Sequence, residues 1–154
     1  NEVIEAVDAN FYDTIQGAPF KFLVVFYLQT CPHCKNVLTA FEEIKNDFDS
    51  SELGLVTINC DNNHMSCMGF EIKHVPYMVK VFDNKYTVFN TYPSKENILK
   101  FINTDQEESE YKDLPEKLGY FSMVISVFKE FSSIISEYMR NFLESRGIEF
   151  DWNE

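Results

Sequence analysis

From Lys21 to Leu28 the chain reads KFLVVFYL, a segment with no charged side chain after its first residue. It is rich in β-branched and aromatic residues and too short for a buried helix, so it reads as a strand covered on both faces inside a parallel or mixed sheet. A short Thr30-Cys31-Pro32 turn follows. Beyond it Val37, Leu38, Phe41, Ile44 and Phe48 recur at three- and four-residue steps, the mark of an amphipathic helix. Pro32 suits the first turn of that helix.

The remaining elements are arranged around this strand-to-helix unit. Leu53 to Asn59 reads as a second strand, and Tyr77 to Phe82 and Tyr86 to Phe89 as two more about the turn Asp83-Asn84-Lys85. Ser94 caps a helix carrying Ile98, Leu99 and Ile102, and Asp8 or Asn10 caps a short one carrying Phe11, Tyr12 and Ile15. With a short strand near Val3 and a short helix near Met65, the order is βαβαβαββα, an α/β chain.

Cys31-Pro32-His33-Cys34 sits where the buried strand ends and the helix opens, the setting in which CxxC becomes a redox dithiol. A sulfur at a helix N-terminus meets unpaired backbone N–H groups and the positive end of the dipole, which stabilise its thiolate. Cys31 is therefore expected to be the exchanging sulfur. Cys34, one turn on, is placed to resolve a mixed disulfide formed at Cys31. His33 can share a proton or positive charge with the Cys31 thiolate, which makes the disulfide more oxidising. Two readings compete: a zinc site built from Cys31, Cys34, Cys60 and Cys67, and a purely structural disulfide across the two-residue gap. Structural zinc pairs usually occupy short polar knuckles rather than the end of an apolar strand. We expect no metal and no cofactor beyond the cysteine pair. Cys60 and Cys67 are open to two readings, a bonded pair or two buried free thiols.

These features resemble the thioredoxin superfamily, and specifically the catalytic domain of protein disulfide isomerases. The likeness rests on Asn10-Phe11 opening the first helix, FLVVFY leading into CPHCK, the INCDNN segment after Val56-Thr57, and His74-Val75-Pro76 before the strand at Tyr77. It spans about Val3 to Asn103. The resemblance implies a thioredoxin fold with a cis Val75-Pro76 bond facing the dithiol, where the backbone pairs with an extended client. It also implies that Cys60 and Cys67 form the extra structural disulfide of some isomerase domains; such a bond would indicate an oxidising compartment.

The departures from that family are informative as well. Val25 stands where the family carries a buried glutamate, Thr30 replaces the aromatic residue before the first cysteine, and Thr39 replaces the helix proline. The arginine of the last helix is missing around Pro93 and Ser94, with Lys95 nearby. With two proton-handling groups absent, fast isomerase turnover is not expected. Proline-histidine between the cysteines and valine before the cis proline resemble the bacterial periplasmic oxidants of the DsbA type, which favours disulfide donation.

Charge bounds the partners. The chain has 154 residues with 13 basic and 25 acidic side chains, a net charge of −12, and a phosphate backbone or anionic lipid surface would repel it. The longest charge-free stretches, residues 22–34 and 118–128, are shorter than the roughly 18 apolar residues of a membrane span. The run Asp105-Gln106-Glu107-Glu108-Ser109-Glu110 has no apolar residue and reads as the start of a solvated linker over 105–116. It separates a redox domain over 1–104 from a helical extension over 117–154. In that extension Phe121, Val124 or Ile125, Phe128, Phe131, Ile135, Tyr138 and Phe142 repeat at helical spacing, ending before Gly147. This stripe can pack on the redox domain, associate with a second copy or another partner, or lie on a membrane surface; the acidic surroundings disfavour the last.

His64 is expected at the surface, and His74 either near the active face with a modest electrostatic role or as a structural residue. The chain begins at Asn1 with no basic-then-apolar leader, so a mature protein or an excised segment is expected. The expected activity is thiol-disulfide exchange that forms, and can also rearrange, disulfides in proteins of the endoplasmic reticulum lumen or secretory pathway. Its partners would be unfolded or partly oxidised clients and an upstream thiol oxidase or reductase. The alternative is a redox-inefficient client-binding or adaptor module that uses the fold and the aromatic helix.

Overall fold

A computed structural model describes residues 2–146. The elements are β1 (Val3–Ala6), α1 (Phe11–Ile15), β2 (Lys21–Tyr27), α2 (Pro32–Ile44), β3 (Leu53–Asn59), α3 (His64–Gly69), β4 (Tyr77–Phe82), β5 (Lys85–Val88), α4 (Lys95–Asn103), β6 (Lys112–Asp113) and α5 (Tyr120–Ser145), with a 3-10 turn at Glu108–Glu110. The strands form one mixed sheet in the order β1-β3-β2-β4-β5-β6. β1, β3 and β2 run parallel, and β4, β5 and β6 continue antiparallel. This is a thioredoxin fold with a C-terminal helix.

Strand alternation explains why β2 reads as apolar throughout. Phe22, Val24 and Phe26 face one layer, where Phe11, Tyr12 and Ile15 of α1 and Phe70 after α3 cover them. Leu23 and Val25 face the other, under Val37, Phe41 and Ile44 of α2 and Ile98 and Ile102 of α4. The close pairing of β2 with β3 also explains Gly54: it lies opposite Phe22, and a Cβ there would come within 2.3 Å of the ring. The β4–β5 connection is a two-residue turn with both Asp83 and Asn84 at positive φ, 50° and 58°, so β5 starts at Lys85 rather than Tyr86.

One capping expectation holds and one changes. Ser94 does cap α4, accepting from Asn97 N–H at 3.2 Å. At the front, however, Asn10 occupies the α1 N-cap position and spends its side-chain oxygen on Val7 N–H. Asp8 serves a different helix. Its carboxylate accepts from Ser66 N–H at 2.8 Å, from the Ser66 hydroxyl at 2.7 Å and from Met65 N–H at 3.3 Å, so it caps α3 from across the fold. The six-residue α3 leaves its first N–H groups open because Asn63 makes no cap bond to it, and a carboxylate is the best group to fill that place.

The acidic segment expected to be a linker folds onto the sheet. β6 pairs with β5 through Lys85 and Tyr86, Leu114 N–H donates to Asn84 C=O at 2.9 Å, and Leu114 packs against the apolar layer beneath. Asp105 pairs with Lys21 and Glu108 with Lys85. Residues up to Lys117 thus form one compact unit and those from Leu118 a second, so the division falls at Lys117 rather than at Thr104. Strand addition uses backbone groups, which a run of charged side chains does not conceal. In the second unit α5 is one continuous helix; the side chains of Phe121 and Ile125, and the stop at Gly147, lie outside the described residues. Among the described residues no helix is long and apolar enough to cross a membrane.

Lys80 is a charged group that sequence reading passed over. It is fully buried in β4, its Nζ donates to the Phe101 and Thr104 carbonyls at 3.0 and 2.7 Å, and it lies 5.0 Å from the Phe101 ring centre. It thereby ties the end of α4 to the sheet. Burial lowers its pKa from 10.5 to about 8. Between those values the unfolded chain holds a proton that the folded chain has released, so stability rises with pH across that window. The unfolding free energy from urea titration should therefore climb from pH 8 to pH 10.5 in the native protein relative to Lys80→Met, by up to about 3 kcal/mol; parallel pH profiles would show that Lys80 is not responsible.

Candidate active site

The carboxyl ends of β2 and β3 lie side by side, with Tyr27 opposite Asn59, at the edge where open α/β sheets place their ligand crevices. The chain leaving β2 is held firmly there. Cys60 N–H donates to Tyr27 C=O at 2.8 Å, Asp61 accepts from Gln29 N–H at 2.9 Å, and Cys31 N–H donates to Leu28 C=O at 3.2 Å. These bonds deliver Cys31 as the N-cap of α2, with Pro32 in the first turn.

The two sulfurs have different surroundings. Cys31 is partly exposed, and its Sγ accepts from Cys34 N–H at 3.2 Å, the open donor of the first helical turn. Its thiol also lies 4.0 Å from Val75 C=O, on the cis Val75-Pro76 bond. Cys34 is buried. Burial first, and then the hydrogen bond with Cys31, push its pKa up from 9 to about 11. One sulfur faces donors and solvent, the other an apolar layer; that is the asymmetry an exchanging and a resolving thiol need.

The cavity beside the dithiol, about 510 Å³, brings His33, His74, Val75 and Pro76 together. It also recruits Asn36 and Val37 from α2 and the segment Asn90-Thr91-Tyr92-Pro93 between β5 and α4. That segment was not singled out in the sequence; its signal was a large exposed aromatic, Tyr92, next to a proline in a turn. His74 stacks edge-on against Tyr77 at 5.6 Å. His64 is exposed at the start of α3.

Cys60 and Cys67 are bonded to each other, with Cα atoms 5.9 Å apart, and join the end of β3 to α3. They do not meet the first pair. The bond instead braces the loop whose Cys60 and Asp61 hold the approach to Cys31. Among the described residues no group of three or more histidine, cysteine or acidic side chains could hold a metal ion. Val25 is fully buried between Thr57 and Met78 on the neighbouring strands, in the apolar layer, and Lys95 is engaged by Asp47 at 3.3 Å. Thr39 leaves α2 unbroken, its hydroxyl donating to Lys35 C=O.

Residues 2–104 match the thioredoxin family model, and the chain belongs to that family. It is 29% identical over 84 residues to the thioredoxin of Buchnera aphidicola, covering 54% of this chain and 76% of that one. It is 28% identical over 98 residues to protein disulfide-isomerase 1 of Dictyostelium discoideum, covering 60% and 27%. Bloodstream-specific protein 2 of Trypanosoma brucei brucei is 28% identical over 81 residues, 52% of this chain and 16% of that protein. The zinc-bound form of human ERp44 shares the fold, with a TM-score of 0.59 at 18% identity over 66% of this chain and 30% of that one. The chain therefore spans about three quarters of the thioredoxin but a small share of the longer relatives. The Cys31-Cys34 dithiol therefore stands in a domain of the thioredoxin family.

Two measurements check this geometry. In the reduced protein, iodoacetamide at mildly alkaline pH should modify Cys31 alone, because Cys34 stays a buried neutral thiol; peptide mass spectrometry finding both modified would contradict the asymmetry. Replacing Cys60 and Cys67 together by serine should cost about 2.5 kcal/mol of stability, from the entropy of the short loop they close, read by denaturant unfolding.

Proposed function

We propose that the chain donates disulfides to proteins of the secretory pathway, with rearrangement as a secondary capacity. The observation that carries this reading is the pairing of Cys31 Sγ with the first-turn N–H of Cys34 while Cys34 itself is buried. In the oxidised form a client thiolate attacks Cys31 Sγ. The Cys31–Cys34 bond breaks, and Cys34 leaves and takes up a proton. A second client thiolate then attacks the client sulfur of the mixed disulfide and expels Cys31. The client loses two electrons and the dithiol gains them; a thiol oxidase or a small-molecule disulfide must remove them again.

The second expulsion is the easier one. Cys31 leaves onto a waiting N–H donor, which speeds departure and stabilises the reduced state, and a stabilised reduced state is what makes a disulfide oxidising. The cavity around Val75, Pro76, Met78 and Tyr92 is suited to an extended client chain. The Cys60–Cys67 bond and the likeness to a protein disulfide isomerase support an oxidising compartment.

The potential of the Cys31–Cys34 couple should lie in the range from about −180 to −120 mV; a value near thioredoxin's, about −270 mV, would rule out an oxidant. Oxidation of reduced ribonuclease should cease with Cys31→Ser, while Cys34→Ser offered a client that already carries a disulfide should accumulate a mixed disulfide through Cys31. Val25 in the apolar layer favours one second reading, a slow redox module that chiefly holds clients. Equal ribonuclease oxidation by the native protein and Cys31→Ser would select it.

A further inference from the structure

Helix α5 carries an apolar seam whose spacing is stricter than a general amphipathic stripe. Val124, Phe128, Phe131, Ile135, Tyr138 and Phe142 follow steps of four, three, four, three and four, the seam of a helix that packs lengthwise on another helix. Val127, Ile134 and Met139 flank this line, whereas Lys129, Glu130, Ser133, Ser136, Glu137 and Arg140 occupy the other side. The described seam and flanking side chains are between 41% and 71% exposed. We propose that α5 pairs with α5 of a second copy of this chain, antiparallel about a two-fold axis near Ser133.

Three observations select that occupant. The first is area: with roughly 150–250 Å² in each aromatic side chain, the nine residues expose on the order of 800 Å², about what each partner of a standard interface contributes. The second is charge. Although the protein carries −12, residues 120–146 hold Lys129, Arg140 and Arg146 against Glu130, Glu137 and Glu144, so the helices of two copies do not repel. A membrane surface, by contrast, would call for a basic polar face, which this neutral, serine-rich one is not. The third is register. An antiparallel pair centred on Ser133 sets Val124 against Phe142, Phe128 against Tyr138 and Phe131 against Ile135, so each seam residue meets another, two aliphatic–aromatic layers about one aromatic pair. That is the isologous arrangement of a two-fold dimer, in which residue i meets j and j meets i. Antiparallel helix dipoles favour it too.

The test uses the full chain. Sedimentation equilibrium should give the native protein twice its 18.1 kDa monomer mass. Phe128→Glu and Tyr138→Lys should each give the monomer mass, with helix content by circular dichroism and dithiol potential unchanged. An equimolar mixture of the two should recover the dimer, because only antiparallel pairing places residue 128 of one copy against 138 of the other. A native mass of one chain, or of more than two, overturns the proposal. So does either variant remaining dimeric, or a mixture that stays monomeric. None of these readings depends on the direction of thiol exchange.

Discussion

The site depends on the central strand β2 being buried on both faces. Its two sets of side chains are locked into separate layers, Phe22, Val24 and Phe26 in one and Leu23 and Val25 in the other. A strand held this way can neither slip in register nor rotate, since a one-residue shift would exchange the layers. Its carboxyl end is therefore a fixed point, and the three backbone and side-chain bonds that follow it set Cys31 at the start of α2. From there the helix itself supplies the donor to the sulfur.

The same layer that fixes the strand also sets the chemistry of the second thiol. Cys34 is buried on α2 together with Val37 and Phe41, and its raised pKa follows first from that burial. Val25, fully buried in β2, keeps this layer apolar. Among the described residues the one fully buried charge is Lys80, and carbonyls at the end of α4 accept from it. Burial of that kind is tolerated because two carbonyls accept from the ammonium and the ring of Phe101 faces the cation. The protein thus separates its two thiols by environment.

Much of this was legible in the chain. KFLVVFYL, the CPHC turn and the Val37-Phe41-Ile44 periodicity are local patterns, and local patterns survive into the fold because burial enforces them. Ser94 behaved as its position implied. Asp8 did not, because its partners Met65 and Ser66 are more than fifty residues away and nothing near Asp8 hints at them. The acidic run after Thr104 misled for a related reason: strand pairing to β5 is made by backbone, and side-chain polarity says little about it at a sheet edge. Tyr92 and its neighbours escaped notice because a turn carries no periodicity.

The sequence by itself determined the class of fold, the dithiol and its strand-to-helix setting, since these depend on neighbours within a few residues. Tertiary structure alone decided which thiol is buried, that Cys60 and Cys67 are joined, what caps α3, and which residues share a cavity with the cis Val75-Pro76 bond. Each of those depends on a distance between segments far apart in the chain, and such distances are set by how the sheet stacks its layers.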